Sequence, residues 1–223
     1  MLEFKHVTKK QGNFQLADIN FQLEDGFLLG IVGKNGAGKT TLMKCMLEEK
    51  SSYTGKISFQ GQDIKEHRRE FMTKTAYIAD ENIFLNKKTA LENVEILGGF
   101  YPEFDMEEFE NYMKEMDLSA RKVVENMSRG EFIRFQIAFA RARNARLYLL
   151  DEATAGMDPV FRKDFYGILR EILATEATIL MTTHVQSDIN KNMDYVCRLE
   201  TGRMVYYEEN TGDMEVTGGV LHG

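Results

Sequence analysis

GFLLGIVGKNGAGKTTLMKCMLEEK, residues 26–50, decides how the rest of the chain is read. Phe27–Val32 is an apolar run of strand length. From Thr40 onward Leu42, Met43, Met46 and Leu47 recur at helical spacing on one side. Between the two lies GKNGAGKT, residues 33–40, which fits GxxxxGK[ST] in the setting that gives the pattern meaning: strand before, helix after. Glycines let backbone N–H groups curl around a phosphate chain, and the helix start adds unpaired donors and a favourable dipole. Gly33, Asn35, Gly36, Ala37, Gly38, Lys39, Thr40 and Thr41 are therefore the candidate nucleotide-binding residues. Lys39 would take the β- and γ-phosphates and the Thr40 hydroxyl a Mg²⁺ ion. A chance glycine-rich turn is the competing reading, and the flanking strand and helix argue against it.

Working outward, the 223 residues suffice for one sizeable core or one domain with an inserted lobe. A net charge of −7 argues against a broad nucleic-acid or anionic-membrane surface. The apolar runs are too short to span a bilayer, and Glu3, Lys5 and His6 break up any signal-peptide core. Cys45 and Cys197 lack metal-like spacing and read as buried thiols. LEFKHVTKK and FQLADINFQLED read as strands. SSYTG reads as a turn, KISFQGQDI as a strand with a Gly-Gln turn, and KTAYIAD as a buried strand. Residues 82–143 mix acidic and apolar positions at helical spacing. ARLYLLDE and ATILMTTH are buried strands separated by a helix starting at Pro159, and YVCRLETGRMVYY is a hairpin around Thr201-Gly202. The pattern is an α/β core with a mostly helical insertion.

Three further sites carry chemistry. LYLLDE ends a buried strand on Asp151 and Glu152, at the sheet edge where ligands of open α/β folds bind. Asp151 suits Mg²⁺, and Glu152 suits orienting and polarising an attacking water. Solvated strand-end acids are the bland alternative, which the phosphate loop disfavours. His184 ends ATILMTTH. Alone it would be structural, but beside such a site it supplies a donor near a γ-phosphate. In AGMDPV, Asp158 before Pro159 is a helix N-cap with proline at the first helical position. ENMSRGEFIRF, residues 125–135, carries Ser128 and, three residues on, Glu131: the two halves of a capping box.

These stretches, in this order and spacing, resemble the nucleotide-binding subunit of ATP-binding-cassette (ABC) transporters from about Leu2 to Tyr207, with MSRGE in place of the family signature LSGGQ. The resemblance implies a P-loop NTPase core with a mixed sheet, an N-terminal antiparallel β part and an inserted helical subdomain. The expected single domain spans 1–223, its core about 1–81 and 144–223 and its helical subdomain about 82–143. It further implies two subunits meeting head to tail, with ATP between the phosphate loop of one and the signature of the other. Ser128, Arg129, Gly130 and Glu131 would then face the partner's ATP, and the turn at Asp158 would pack against the second copy. Arg129 replaces a glycine of the usual signature, its side chain expected to point away from ATP.

Two positions depart from the family's pattern. The aromatic on which adenine stacks is absent, with Gln11 nearby; Phe14 either substitutes or is a core or turn residue. The strand ending in a Mg²⁺-contacting Gln is matched by AYIAD, which puts Asp80 in that place, or Glu81 if the register slips by one. Ile83, Phe84 and Leu85 are either core residues or a groove for a permease helix.

The expected function is an ATP-hydrolysing subunit, with ATP and Mg²⁺ as cofactors. It would work as a homodimer or heterodimer with a membrane permease on a separate chain, on the cytoplasmic face of the cell membrane, without nucleic acid. Arg129 in the signature and the short C-terminal end favour export. A soluble assembly or scaffold ATPase without a permease is the alternative. A small-molecule P-loop kinase leaves SRGE unexplained.

Overall fold

The computed structural model describes residues 1–48, 52–80, 83–184 and 186–212. Among these residues the β-structure is one ten-stranded sheet. The N-terminal strands β1 (Leu2–Gln11) and β2 (Phe14–Leu23) pair antiparallel, and β1 pairs antiparallel with β4 (Tyr53–Phe59), which turns into the short β5 (Gln62–Asp63). The other half is built on β3 (Leu28–Val32), β8 (Thr178–Thr183), β7 (Leu147–Asp151) and β6 (Thr75–Ile78), all mutually parallel. β3 and β8 are buried at every position, as parallel strands covered on both faces must be. The hairpin of β9 (Tyr195–Glu200) and β10 (Arg203–Glu209) joins the halves, β9 lying beside β3 and β10 beside β2.

Two apolar clusters form the core. Helices α1 (Lys39–Leu47) and α2 (Arg68–Lys74) cover one side, packing with the antiparallel strands and with Leu29, Ile31, Leu149 and Leu180. On the other side lie α3 (Ala90–Leu97), α4 (Met106–Glu115), α5 (Arg129–Ala142), α6 (Pro159–Leu173) and α7 (Gln186–Asn192). Helices α3–α5 fall between β6 and β7 in the chain, where the composition shifts toward helical spacing. Of the expected turn SSYTG, residue 51 lies outside the described residues, and Tyr53–Gly55 are strand. Helices α2 and α7, seven residues each, did not stand out in the sequence. Both cysteines are buried free thiols.

The β9–β10 turn fastens both halves to the phosphate loop. Gly202 donates its N–H to the Ala37 carbonyl (2.9 Å), and its own carbonyl accepts from Ala17 N–H (2.7 Å). Its φ is +81°, and a Cβ there would lie 1.9 Å from the Gln15 carbonyl oxygen. Gly202→Ala is therefore expected to lower stability by about 1–3 kcal/mol from backbone strain alone. A thermal melt would read this as a reduced Tm, and an unchanged Tm would contradict the packing described.

Candidate active site

The loop between β3 and α1 has Gly38 as helix N-cap, at φ +112° and with no side chain capping it. The first N–H groups of α1 are thus left to an external acceptor, which is what an anion cradle requires. Glycine is needed at 38 twice over: for that φ, and because a Cβ would come within 2.9 Å of the Phe14 ring. Phe14 is half-buried and lies against the loop, packed with the β1–β2 side of the core. Lys39 is 6% exposed, and its ammonium donates to the Gly33 carbonyl at 2.8 Å. Thr40 is exposed at the helix start, and the Thr41 hydroxyl lies 3.5 Å from Gln11 Oε1.

Because β3, β7 and β8 are parallel and adjacent, their C-terminal ends bring Lys39, Glu152 and His184 together. Lys39 Nζ is 3.9 Å and His184 Nδ1 3.8 Å from Glu152 Oε1. Both separations exceed hydrogen-bond reach, so the carboxylate sits between two nitrogen groups without being consumed by either. Glu152 takes φ +49°, a left-handed conformation uncommon for a non-glycine residue. Its N–H donates to Thr182 Oγ1 at 2.8 Å, while that hydroxyl donates to Asp151 Oδ1 at 2.6 Å. Tyr77 at the end of β6 donates its hydroxyl to Asp151 Oδ2 at 3.3 Å. Tyr77 and Thr182 were missed by sequence reasoning. The signal for Thr182 was strand register, since it stands opposite Asp151 in the sheet.

The second constellation lies at the start of α5. Ser128 caps the helix: its Oγ accepts from Glu131 N–H at 3.3 Å, and Glu131 Oε2 accepts from Ser128 N–H at 2.8 Å. Hydrogen bonds from Lys122 and from the Ser128 N–H hold the Glu131 carboxyl down to about 2, so the box is ionised throughout the physiological range. Gly130 lets α6 approach, since a Cβ there would lie 2.9 Å from the Phe161 ring. Asp158 caps α6 by accepting from Val160 and Phe161 N–H, each at 3.0 Å. Ser128, Arg129, Gly130, Ala155, Asp158 and Phe161 border a cavity of about 390 Å³. Ser128 and Asp158 are exposed there.

Arg129 turns into its own chain. Its Nε donates to Asp80 Oδ1 at 2.8 Å, one terminal nitrogen to the Glu152 carbonyl at 3.1 Å, and the other to the Ala155 carbonyl. Asp80 thus stands on Arg129, and the alternative Glu81 lies outside the described residues. Buried Gln136 holds the Ala79 backbone next to Asp80, donating to Ala79 O at 3.0 Å and accepting from Ala79 N–H at 3.3 Å. Ile83 and Leu85 are exposed, while Phe84 packs on Phe132, Phe135 and Phe139. Of the three, Phe84 is thus a core residue and Ile83 and Leu85 are not.

Among the described residues no group of three or more His, Cys, Asp or Glu could hold a metal with protein ligands alone. The hard oxygens of Thr40 and Asp151 nevertheless fit Mg²⁺, which keeps most of its shell for waters and substrate phosphates.

A phosphate-binding loop at the end of a central parallel strand, with an Asp-Glu pair ending its neighbour, defines a P-loop nucleotide-hydrolysing protein of the α/β class. Residues 16–155 match the family model described as ABC transporter, and the chain belongs to that family: it is an ABC-type ATPase. It is 30% identical over 202 residues to the ABC transporter ATP-binding protein YtrB of Bacillus subtilis, covering 90% of this chain and 69% of that one. It is 29% identical to the methionine import ATP-binding protein MetN of Clostridium acetobutylicum (96% and 69% covered). Its identity to the Nod factor export ATP-binding protein I of Rhizobium leguminosarum is also 29% (92% and 68% covered). In fold it matches a solved ATP-binding subunit of an ABC transporter with a TM-score of 0.83 at 23% identity, covering 94% of this chain and 90% of that one. A dimeric ATP-binding cassette bound to ADP and Pi matches at 0.80 and 23%, with 94% and 98% covered.

Proposed function

We propose that this ATPase closes as a head-to-tail dimer around two ATP molecules and drives a membrane permease carried on a separate chain. The observation that supports the reading most is the convergence of Lys39 and His184 on Glu152, at 3.9 and 3.8 Å, while Ser128 at the capped start of α5 stands exposed and outside that cluster. A site complete in one chain would need no second anion-ready helix end. In the proposed arrangement the loop N–H groups and Lys39 hold the phosphates. Glu152 orients and polarises the attacking water, and His184 donates to the γ-phosphate. Ser128 Oγ and the Gly130 N–H close on the partner's nucleotide. Thr40 and Asp151 would hold Mg²⁺, which when bound neutralises charge on the β- and γ-phosphate oxygens. Asp80 would reach the metal only by leaving Arg129. Phe14, lodged against Gly38, supports the loop.

The exposed Ile83 and Leu85, flanking the anchored Phe84, are the proposed permease contact. No helix among the described residues is long and apolar enough to cross a membrane, which fits a peripheral place on the cytoplasmic face. The basic second residue of SRGE favours export.

Ser128→Arg tests the opposed arrangement. Loss of the cap costs about 0.5–2 kcal/mol, which a stable domain survives, so the monomer should fold and bind ATP. The arginine should block ATP-driven dimerisation, read by light scattering. A variant that dimerises with ATP as wild type does would overturn the arrangement. Co-purification of a multi-span protein with the native chain would separate the transporter from a scaffold ATPase.

A further inference from the structure

The Arg129 side chain does something the signature backbone does not. It extends from the first residue of α5 to three acceptors on two other segments of the same chain: Asp80 after β6, and the carbonyls of Glu152 and Ala155 after β7. Each of those segments is held from its far side. Gln136 fixes the Ala79 backbone beside Asp80, and Thr182 fixes the Glu152 N–H. The Glu152 backbone is therefore held on both sides of a Cα at φ +49°, by Thr182 at its N–H and, at its C=O, by Arg129 together with the Ala155 N–H of the same turn (3.0 Å). A left-handed non-glycine residue persists only where its surroundings over-determine it. Thr182, the turn's own Ala155 N–H and Arg129 together supply that determination, Arg129 being the one that reaches in from another helix, and Asp80 aligns the guanidinium fork that reaches the carbonyls.

We propose that Arg129 is a positioning residue for hydrolysis within its own subunit: aligned by Asp80, it clamps the Glu152–Ala155 turn and so ties the helix start that faces one nucleotide to the glutamate that acts on the other. This rests on the reading of Glu152 given above. The side chain of a signature residue then serves the subunit's own ATP, while its neighbours Ser128 and Gly130 serve the partner's. The loss of a signature glycine and the acid at position 80 become one paired arrangement instead of two separate departures.

The test uses the full chain with Arg129→Ala, Arg129→Lys, Asp80→Asn, Glu152→Gln and the Arg129→Ala/Glu152→Gln double variant. A misplaced reacting group commonly costs up to about 100-fold in rate. Arg129→Ala should lower kcat by about tenfold or more, with KM and ATP affinity within about twofold of wild type. Arg129→Lys, which keeps the charge but not the fork, should recover only part of the loss, and Asp80→Asn should fall between wild type and Arg129→Ala. The double variant should form the ATP-dependent dimer at the same ATP concentration as Glu152→Gln, because the clamp acts on its own subunit. Circular dichroism melts exclude unfolding as the cause. A wild-type kcat for Arg129→Ala would overturn the proposal. A folded double variant that fails to dimerise would also do so, since it would place the Arg129 side chain on the partner's nucleotide. Normal turnover in Glu152→Gln would instead remove Glu152 from catalysis, and is thereby distinguishable from failure of the clamp.

Discussion

Glu152→Gln is expected to bind ATP and stop there. Glutamine has the shape of glutamate, and the Glu152 N–H contact to Thr182 and C=O contact to Arg129 are made by backbone atoms the substitution leaves alone. Asp151 and its hydrogen bond from Thr182 are likewise untouched. What is lost is a carboxylate able to polarise water, and such groups typically contribute about 10²–10⁴ in rate. Turnover should fall by that range while an ATP-dependent dimer accumulates, visible by size-exclusion chromatography. Loss of ATP binding would make Glu152 structural. Hydrolysis at the wild-type rate would move the catalytic carboxylate elsewhere, Asp80 being the first candidate.

Lys39→Ala should act one step earlier. Among the described residues the Lys39 ammonium is buried and donates to loop carbonyls, Gly33 O at 2.8 Å and Lys34 O at 3.4 Å, with Glu152 more distant. It is a cation held in place before its anion arrives. A hydrogen bond to a charged group is worth about 1.5–3 kcal/mol, and two phosphate oxygens stand to be lost. The expected result is a rise of about 100-fold or more in the Kd for ATP by calorimetry, with turnover abolished. An unchanged Kd would show that phosphate is bound elsewhere.

Local chemistry made the phosphate loop, the Asp151-Glu152 strand end and the Ser128–Glu131 capping box readable, because each depends on residues close together in the chain. The reasons for failure elsewhere are equally physical. Tyr77 and Thr182 reach Asp151 across sheet register, and register needs the strand order. That order inserts the C-terminal hairpin between β2 and β3, a long-range pairing no local pattern encodes. The Arg129–Asp80 contact joins residues 49 apart, so the sequence offers both partners without their meeting. Phe14 was left open between adenine and packing, and its burial against Gly38 depends on how the β1–β2 turn folds over the loop.

Gln136 has a mechanical consequence. By gripping both backbone polar groups of Ala79 from inside the core, it gives α5 a pivot eight residues from Ser128. Eight helical residues make an arm of about 12 Å. Turning that arm by about 10° would sweep its tip some 2 Å, more than the Arg129 hydrogen bonds tolerate. If Arg129 clamps the glutamate as proposed, the helix is geared: a slight tilt is enough to release or engage that clamp.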